Sequence, residues 1–276
     1  MLAKAILRLE VVSIGRSRPS PAPSWIEIQD RWNQTYDISE AQSIALFNLI
    51  AKSGDEDIKL RKLSTGKSKL SHISPNILAE AVIRLTRIDL KEKRLHPKQV
   101  QSIFSKVAIC ENLSTRWLDI SCNDLSSVPG DVLVKALSRK VYLDLDDTNL
   151  TPDQARSIFN EIANCENLSL NSLHISHNNL SSVSRAVLVK AISRLKIVEL
   201  CGTDLTAKQV KDIFTLVAER KSSNLRIAYL YGNNVKSVPG RIRRKVEENC
   251  LEYCLDIQFD RDQRARVAQN CCLGVQ

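Results

Sequence analysis

The stretch VYLDLDDTNLTPDQARSIFNEIANCENL, residues 141–168, has a near-copy in IVELCGTDLTAKQVKDIFTLVAE, residues 197–219. Both open with apolar residues at alternate positions, the pattern of a short strand. The first copy continues with Ile158, Phe159 and Ile162, an i, i+1, i+4 spacing that predicts an amphipathic helix. Between strand and helix stands a start signal. Thr151-Pro-Asp-Gln154 and Thr206-Ala-Lys-Gln209 have capping-box spacing, in which the Thr oxygen accepts from the N3 amide and Gln reaches back to the cap amide. Pro152 suits the first turn, where its missing N–H has no intrahelical partner to lose.

Working outward, Leu70, Leu125, Leu180 and Val235 fall at equivalent positions, each 55 residues after the last, and Leu95, Leu150 and Leu205 form a second series with the same spacing. The two series interleave at alternating steps of 25 and 30 residues, so the unit is a pair of related half-repeats. One half-repeat opens LDISCNDL (118–125), LHISHNNL (173–180) or AYLYGNNV (228–235). Its Asn123, Asn178 and Asn233 stand where the chain must turn, and a buried Asn can bond the main-chain groups that a turn leaves unpaired. The other opens LDLDDTNL (143–150) or VELCGTDL (198–205), with Thr148 or Thr203 in place of Asn. Ser39-Glu-Ala-Gln42 and His96-Pro-Lys-Gln99 begin two further copies of its helix.

This recurrence resembles the leucine-rich repeats of the ribonuclease-inhibitor type, in which LxLxxNxL or LxLxxCxL opens each unit of strand plus helix. The resemblance spans residues 58–257. Thr replaces Asn or Cys in alternate units, and LSTGKSKL (63–70) keeps the spacing but little of the consensus. It implies an α/β fold, a curved leucine-rich-repeat solenoid with a parallel sheet on the concave face and helices on the convex face. A single domain over 1–276 is expected: degenerate or partial repeats in 1–57 with a loop at 15–24, regular repeats in 58–257, and a partial repeat in 258–276. LAKAILRLEVVSI (2–14) matches LVKAISRLKIVEL (188–200), which suggests a piece of a longer receptor or scaffold.

Composition limits the function classes. At 43% hydrophobic and 26% charged the chain can bury a sizeable core, which argues against disorder. Eight cysteines without a CxxC pair fit a reduced, cytoplasmic setting and no structural zinc. Lys4, Arg8 and Glu10 interrupt the apolar start, which makes a poor signal peptide, and no apolar run is long enough to span a membrane. The Asn-Leu-Ser and Asn-Leu-Thr triplets at Asn112, Asn149, Asn167 and Asn179 read as repeat structure rather than glycosylation sites. Neither a phosphate loop nor a GxSxG elbow occurs, so no catalysis, cofactor or small-molecule substrate is expected. His174 and His177 would face opposite sides of a strand, and no metal site is expected. Cys110 and Cys165, each in CENL, read as small buried fillers at helix ends.

Function on such a fold resides on its surfaces. Strand alternation sends Leu118 and Ile120 inward and Trp117, Asp119 and Ser121 onto the concave face. The middle exposed position reads Asp89, Asp119, Asp144, His174, Glu199 and Tyr229 through successive units, and the position before it Arg87, Trp117, Tyr142, Ser172, Ile197 and Ile227. An acidic strip with an aromatic pair is therefore expected, with much of the basic excess of a +9 chain elsewhere. The candidate partner-binding residues are Trp117, Asp119, Tyr142, Asp144 and Asp146, followed by His174, Glu199, Tyr229 and Tyr231. The competing reading is that duplication simply copied the Asp row. The resemblance implies a non-catalytic protein-interaction scaffold, here for a protein with a basic surface. Alternatives are regulation of a GTPase or other enzyme, or binding of nucleic acid or an anionic membrane. The basic clusters for the latter are Lys59, Arg61, Lys62, Lys67 and Lys69, and Arg241, Arg243, Arg244 and Lys245. Neither has interleaved aromatics for base stacking, so nucleic acid is not the expected partner.

Overall fold

The structure is a computed structural model that describes residues 11–13, 26–29, 35–38, 40–52, 62–64, 70–110, 115–137, 142–219, 224–253 and 256–258. The chain packs into two compact units, Met1–Asp144 and Leu145–Gln276.

The first unit holds strands β1 (Val11–Ser13), β2 (Ile26–Gln29), β3 (Thr35–Ile38), β4 (Lys62–Ser64), β5 (Arg87–Asp89), β6 (Trp117–Asp119) and β7 (Tyr142–Asp144). Its helices are α1 (Glu40–Lys52), α2 (Pro75–Arg84), α3 (Pro97–Ile109) and α4 (Gly130–Leu137). Strands β4 to β7 pair in parallel and in register, Arg87 opposite Trp117 opposite Tyr142, and Asp89 opposite Asp119 opposite Asp144. β1 joins β4 in parallel, but β2 runs antiparallel to both β1 and β3. Within 1–57 the chain therefore reverses at β2 and β3. Residues 30–34 are too few for the crossover of a dozen or more residues that parallel neighbours require, so two alternating strands this close must turn back on each other. The loop expected at 15–24 and the partial repeat at 258–276 lie almost wholly outside the described residues.

The second unit holds β8 (Ser172–His174), β9 (Ile197–Glu199), β10 (Ile227–Tyr229) and β11 (Asp256–Gln258), with α5 (Pro152–Asn164), α6 (Arg185–Arg194), α7 (Ala207–Glu219) and α8 (Gly240–Tyr253). Strands β8 to β11 are parallel and in register. From β4 onward strand and helix alternate along the chain in each unit, an α/β repeat arrangement.

The core follows the repeat. The central residues of β4 to β10, Leu63, Ile88, Leu118 and Leu143 in one unit and Leu173, Val198 and Ala228 in the other, are buried. Phe104, Phe159 and Phe214, one on each of α3, α5 and α7, are buried as well. The helix starts form as the sequence predicts. Gln154 N donates to Thr151 Oγ1 at 3.2 Å, and Thr151 N donates to Gln154 Oε1 at 2.7 Å. Thr206 and Gln209 repeat the pair at 3.3 and 2.7 Å. At α3 His96 caps through Nδ1, which accepts from Lys98 N at 3.3 Å. The Gln has a second role: its Nε2 donates to main-chain carbonyls of the preceding half-repeat, Leu70 and Ile73 from Gln99, Leu180 and Val183 from Gln209.

The ladder residues explain the alternation of Asn and Thr. Asn178 Nδ2 donates to Leu145 O at 2.7 Å and to Ile175 O at 3.2 Å, while its Oδ1 accepts from Leu150 N at 3.1 Å. Asn123 and Asn233 bond the preceding half-repeat in the same way, through Leu90 O and Leu95 N, and Leu200 O and Leu205 N. The shorter Thr148 and Thr203 donate to their own turns, at Leu145 O and Leu200 O, 2.7 and 2.8 Å away. The amide spans two half-repeats, while the hydroxyl closes its own turn and lies 3.4 or 3.2 Å from the amide oxygen of the next ladder residue, Asn178 or Asn233.

Lys93 breaks the series. It occupies the ladder position of its half-repeat, is 1% exposed, and its Nζ has no hydrogen-bond partner among the described residues. Burial pulls its pKa down to about 8, against the opposing pull of Asp89, Glu92 and Asp119. One residue before the ladder position the backbone is left-handed in successive units, at Glu92, Cys122, Asp147 and His177, then at Gly202 and Gly232. Of the cysteines read as buried fillers, Cys110 and Cys165 are half-buried instead, because they cap the carboxyl ends of α3 and α5, where a helix leaves its wall. Asn179, from the triplet reading, accepts from Ser181 N and Oγ at 3.0 and 2.7 Å, closing a turn.

Candidate interaction surface

In the first unit, parallel pairing brings residues of equal rank on β5, β6 and β7 side by side. Trp117 and Tyr142 stack with centroids 4.8 Å apart and planes 15° from parallel. The Arg87 guanidinium covers the indole at 3.7 Å from its centroid. The result is a three-layer stack of cation, indole and phenol, half-buried at its rings, with the Tyr142 hydroxyl donating to Asp144 Oδ2 at 3.3 Å. Cation–π and offset aromatic contacts of this kind hold side chains in place before any partner arrives.

The next rank is Asp89, Asp119 and Asp144. Asp119 is not displayed to solvent: it is 8% exposed, and its Oδ1 accepts from Ser121 N at 3.1 Å and Ser121 Oγ at 2.7 Å. Ser121, expected on the open face, is itself only 1% exposed. Burial raises the Asp119 pKa to about 6, with Asp144 and Asp89 adding to the rise and the Ser121 bonds opposing it. Lys91 is exposed beside this row. Burial works against its charge, but Cys122, Asp119, Asp144 and Glu92 together push its pKa upward. Arg87 and Lys91 share the strand face with the carboxylates, so the acidic row has basic charge beside it. Alternation assigns a residue to a face, but neither its depth nor the reach of a neighbouring lysine.

In the second unit, His174, Glu199 and Tyr229 stand opposite one another on β8, β9 and β10. His174 Nδ1 lies 3.4 Å from Glu199 Oε1, and all three residues are half-buried. Asp146 Oδ1 accepts from Ser176 N at 2.6 Å, so it is partly engaged in holding a turn. Cys201 is buried, and its thiol titrates above the ordinary range, chiefly through burial, with hydrogen bonds to Tyr231 and Ser176 opposing. Tyr231 is thus fixed against the strand surface. Gly202 follows with φ +59°, and a Cβ there would meet His177 Nδ1 at 3.0 Å, which keeps the His177 ring close over the turn.

Within the first unit the structure brings Trp117, Tyr142, Asp119 and Asp144 together, and within the second His174, Glu199 and Tyr229. Sequence reasoning did not foresee the Arg87 cap or the place of Lys91, although both positions repeat in register with residues it singled out. The basic cluster from Lys59 to Lys69 lies outside the described side chains. Among the described residues no helix is long and apolar enough to cross a membrane.

No family model matches the chain, and no curated protein matches it. Among solved structures, the leucine-rich repeat-containing protein LegL7 from Legionella pneumophila is similar at 19% identity and a TM-score of 0.34, over 69% of this chain and 80% of that one.

Proposed function

We propose that this chain is a non-catalytic protein-interaction module of the ribonuclease-inhibitor-like leucine-rich-repeat type, working in the cytoplasm through its strand face. The 55-residue recurrence runs through both compact units, which supports reading 1–276 as one repeat domain. The observation that carries the reading is the Arg87–Trp117–Tyr142 stack. An indole and a phenol locked in register on adjacent strands offer a partner apolar area that needs little further ordering, the quality that distinguishes interface anchors from ordinary surface aromatics. Asp144 beside Tyr142 and Asp89 beside Arg87 supply carboxylates for a partner with a basic surface. In the second unit, Tyr229, Tyr231, His174 and Glu199 extend the same composition.

Affinity capture with the full chain tests the reading. The Trp117→Ala/Tyr142→Ala variant, shown by circular dichroism to be folded, should lose the protein that the parent retains, with a drop in affinity of at least about thirtyfold for true anchors. Retention of the same protein at equal affinity would remove the strand face as the site. Loss of that protein only when Arg241 and Arg244 are reversed would place binding on the helix side instead.

A further inference from the structure

On the helix side of the second unit, α7 and α8 enclose an open groove of about 730 Å³. Its apolar lining is Ala218 from α7, Ile242 from α8 and Pro239 just before α8. Four cations border it, Lys211 from α7 and Arg241, Arg244 and Lys245 from α8, against two carboxylates, Glu219 and Glu248. Lys245 turns to Glu248, 3.5 Å away on its own helix. Asp212, the α7 carboxylate next to Lys211, is occupied on the α6 side by both guanidinium arms of Arg185, at 2.6 and 2.8 Å. Lys211, Arg241 and Arg244 have no ion pair among the described residues. The groove therefore has surplus positive charge beside a partly apolar lining.

A groove between helices need not be charged in this way. The one between α2 and α3 in the first unit is of similar size, about 750 Å³, and also begins at a helix-start proline, Pro75. There Lys106 is bound to Glu80, which leaves Lys98 as the one lining cation without an ion pair among the described residues. The basic character of the α7–α8 groove is thus a property of its own residues rather than of the repeat.

We propose that the α7–α8 groove docks an acidic segment of a protein partner, one that alternates carboxylates with aliphatic side chains. The carboxylates would meet Lys211, Arg241 and Arg244, and the aliphatic groups would cover Ile242, Pro239 and Ala218. A nucleic acid fits less well, because no aromatic lines the groove for base stacking. A flat anionic membrane cannot enter a recess between two helices. The site is independent of the strand-face reading, and either can fail alone.

Fluorescence polarisation of the full chain provides the test, with a labelled peptide of alternating Glu and Leu as the probe. A labelled single-stranded oligonucleotide and vesicles of mixed phosphatidylserine and phosphatidylcholine serve as competing probes. Arg241 and Arg244 are both exposed, so Arg241→Glu/Arg244→Glu should fold, and circular dichroism checks it. The peptide should bind, with affinity falling as salt rises, and the double reversal should weaken binding by about tenfold or more. Lys98→Glu in the other groove and Trp117→Ala/Tyr142→Ala on the strand face should leave it unchanged. The proposal is overturned by absence of peptide binding, by an equal loss in Lys98→Glu, or by binding of the oligonucleotide or vesicles through Arg241 and Arg244 in place of the peptide.

Discussion

Trp117 and Tyr142 are 25 residues apart in sequence yet stack at 4.8 Å, because β6 and β7 pair in parallel with no offset. A double-mutant cycle on Trp117→Ala and Tyr142→Ala, read by urea unfolding, should give a coupling of about 1 kcal/mol, the usual size for such aromatic pairs beyond their area burial. A coupling near zero would mean that each ring is held by its own strand alone.

Asp119 sets a pH window in the acid range. Its folded pKa of about 6 exceeds the ordinary 3.8, so between those values the folded chain holds a proton that the unfolded chain has released. Stability contributed by this group should fall as pH rises from about 4 to 6 and then level off. Asp119→Asn can still accept from Ser121, and it should flatten that segment and raise stability at neutral pH by about 2 kcal/mol. Thermal melts at a series of pH values check this.

Lys93 acts at the other end of the scale. Its folded pKa near 8 lies below the ordinary 10.5, so over that interval the unfolded chain binds the extra proton. Stability should be depressed below pH 8 and recover as pH climbs toward 10.5. Lys93→Met should raise stability at neutral pH by about 2 to 3 kcal/mol and abolish the alkaline recovery. An unchanged alkaline profile would show that the ammonium reaches water in solution.

Asn178→Ala should destabilise the fold by about 2 to 3 kcal/mol, because it strips partners from Leu145 O, Ile175 O and Leu150 N together. Thr203→Val, which removes one donor to Leu200 O, should cost about half as much. Equilibrium denaturation of the two variants gives the ratio directly.

Gly202→Ala should destabilise by about 1 to 2 kcal/mol, combining a left-handed backbone with a methyl group forced against His177. Pairing it with His177→Ala should recover the contact component and leave the backbone component. Denaturation of both variants separates the two.

Much of the architecture was legible because repetition multiplies weak signals. One Thr-x-x-Gln is a common accident, but Thr151 and Thr206 at a 55-residue spacing are not, and the hydrophobic series fixed each strand to its register. The surface was legible as an assignment to faces. What escaped was whatever depends on depth or on the reach of long side chains: the burial of Asp119, Lys91 among the carboxylates, and Arg87 lying flat on an indole one strand away. Lys93 escaped for another reason. A lysine in a turn reads as solvated, and only its alignment with Asn123 and Thr148 marks it as an inward-pointing residue. The reversal at β2 and β3 was hidden by the expectation that an array simply continues.

The side-chain ties between half-repeats have a direction. Asn123, Asn178 and Asn233 reach 28 to 33 residues back along the chain, and Gln99 and Gln209 reach 26 to 29 back. During translation, then, a turn that these residues tie waits for a hydrogen-bond partner not yet synthesised. Maturation of the nascent chain should trail its elongation by about one half-repeat, closing turn by turn from the amino end.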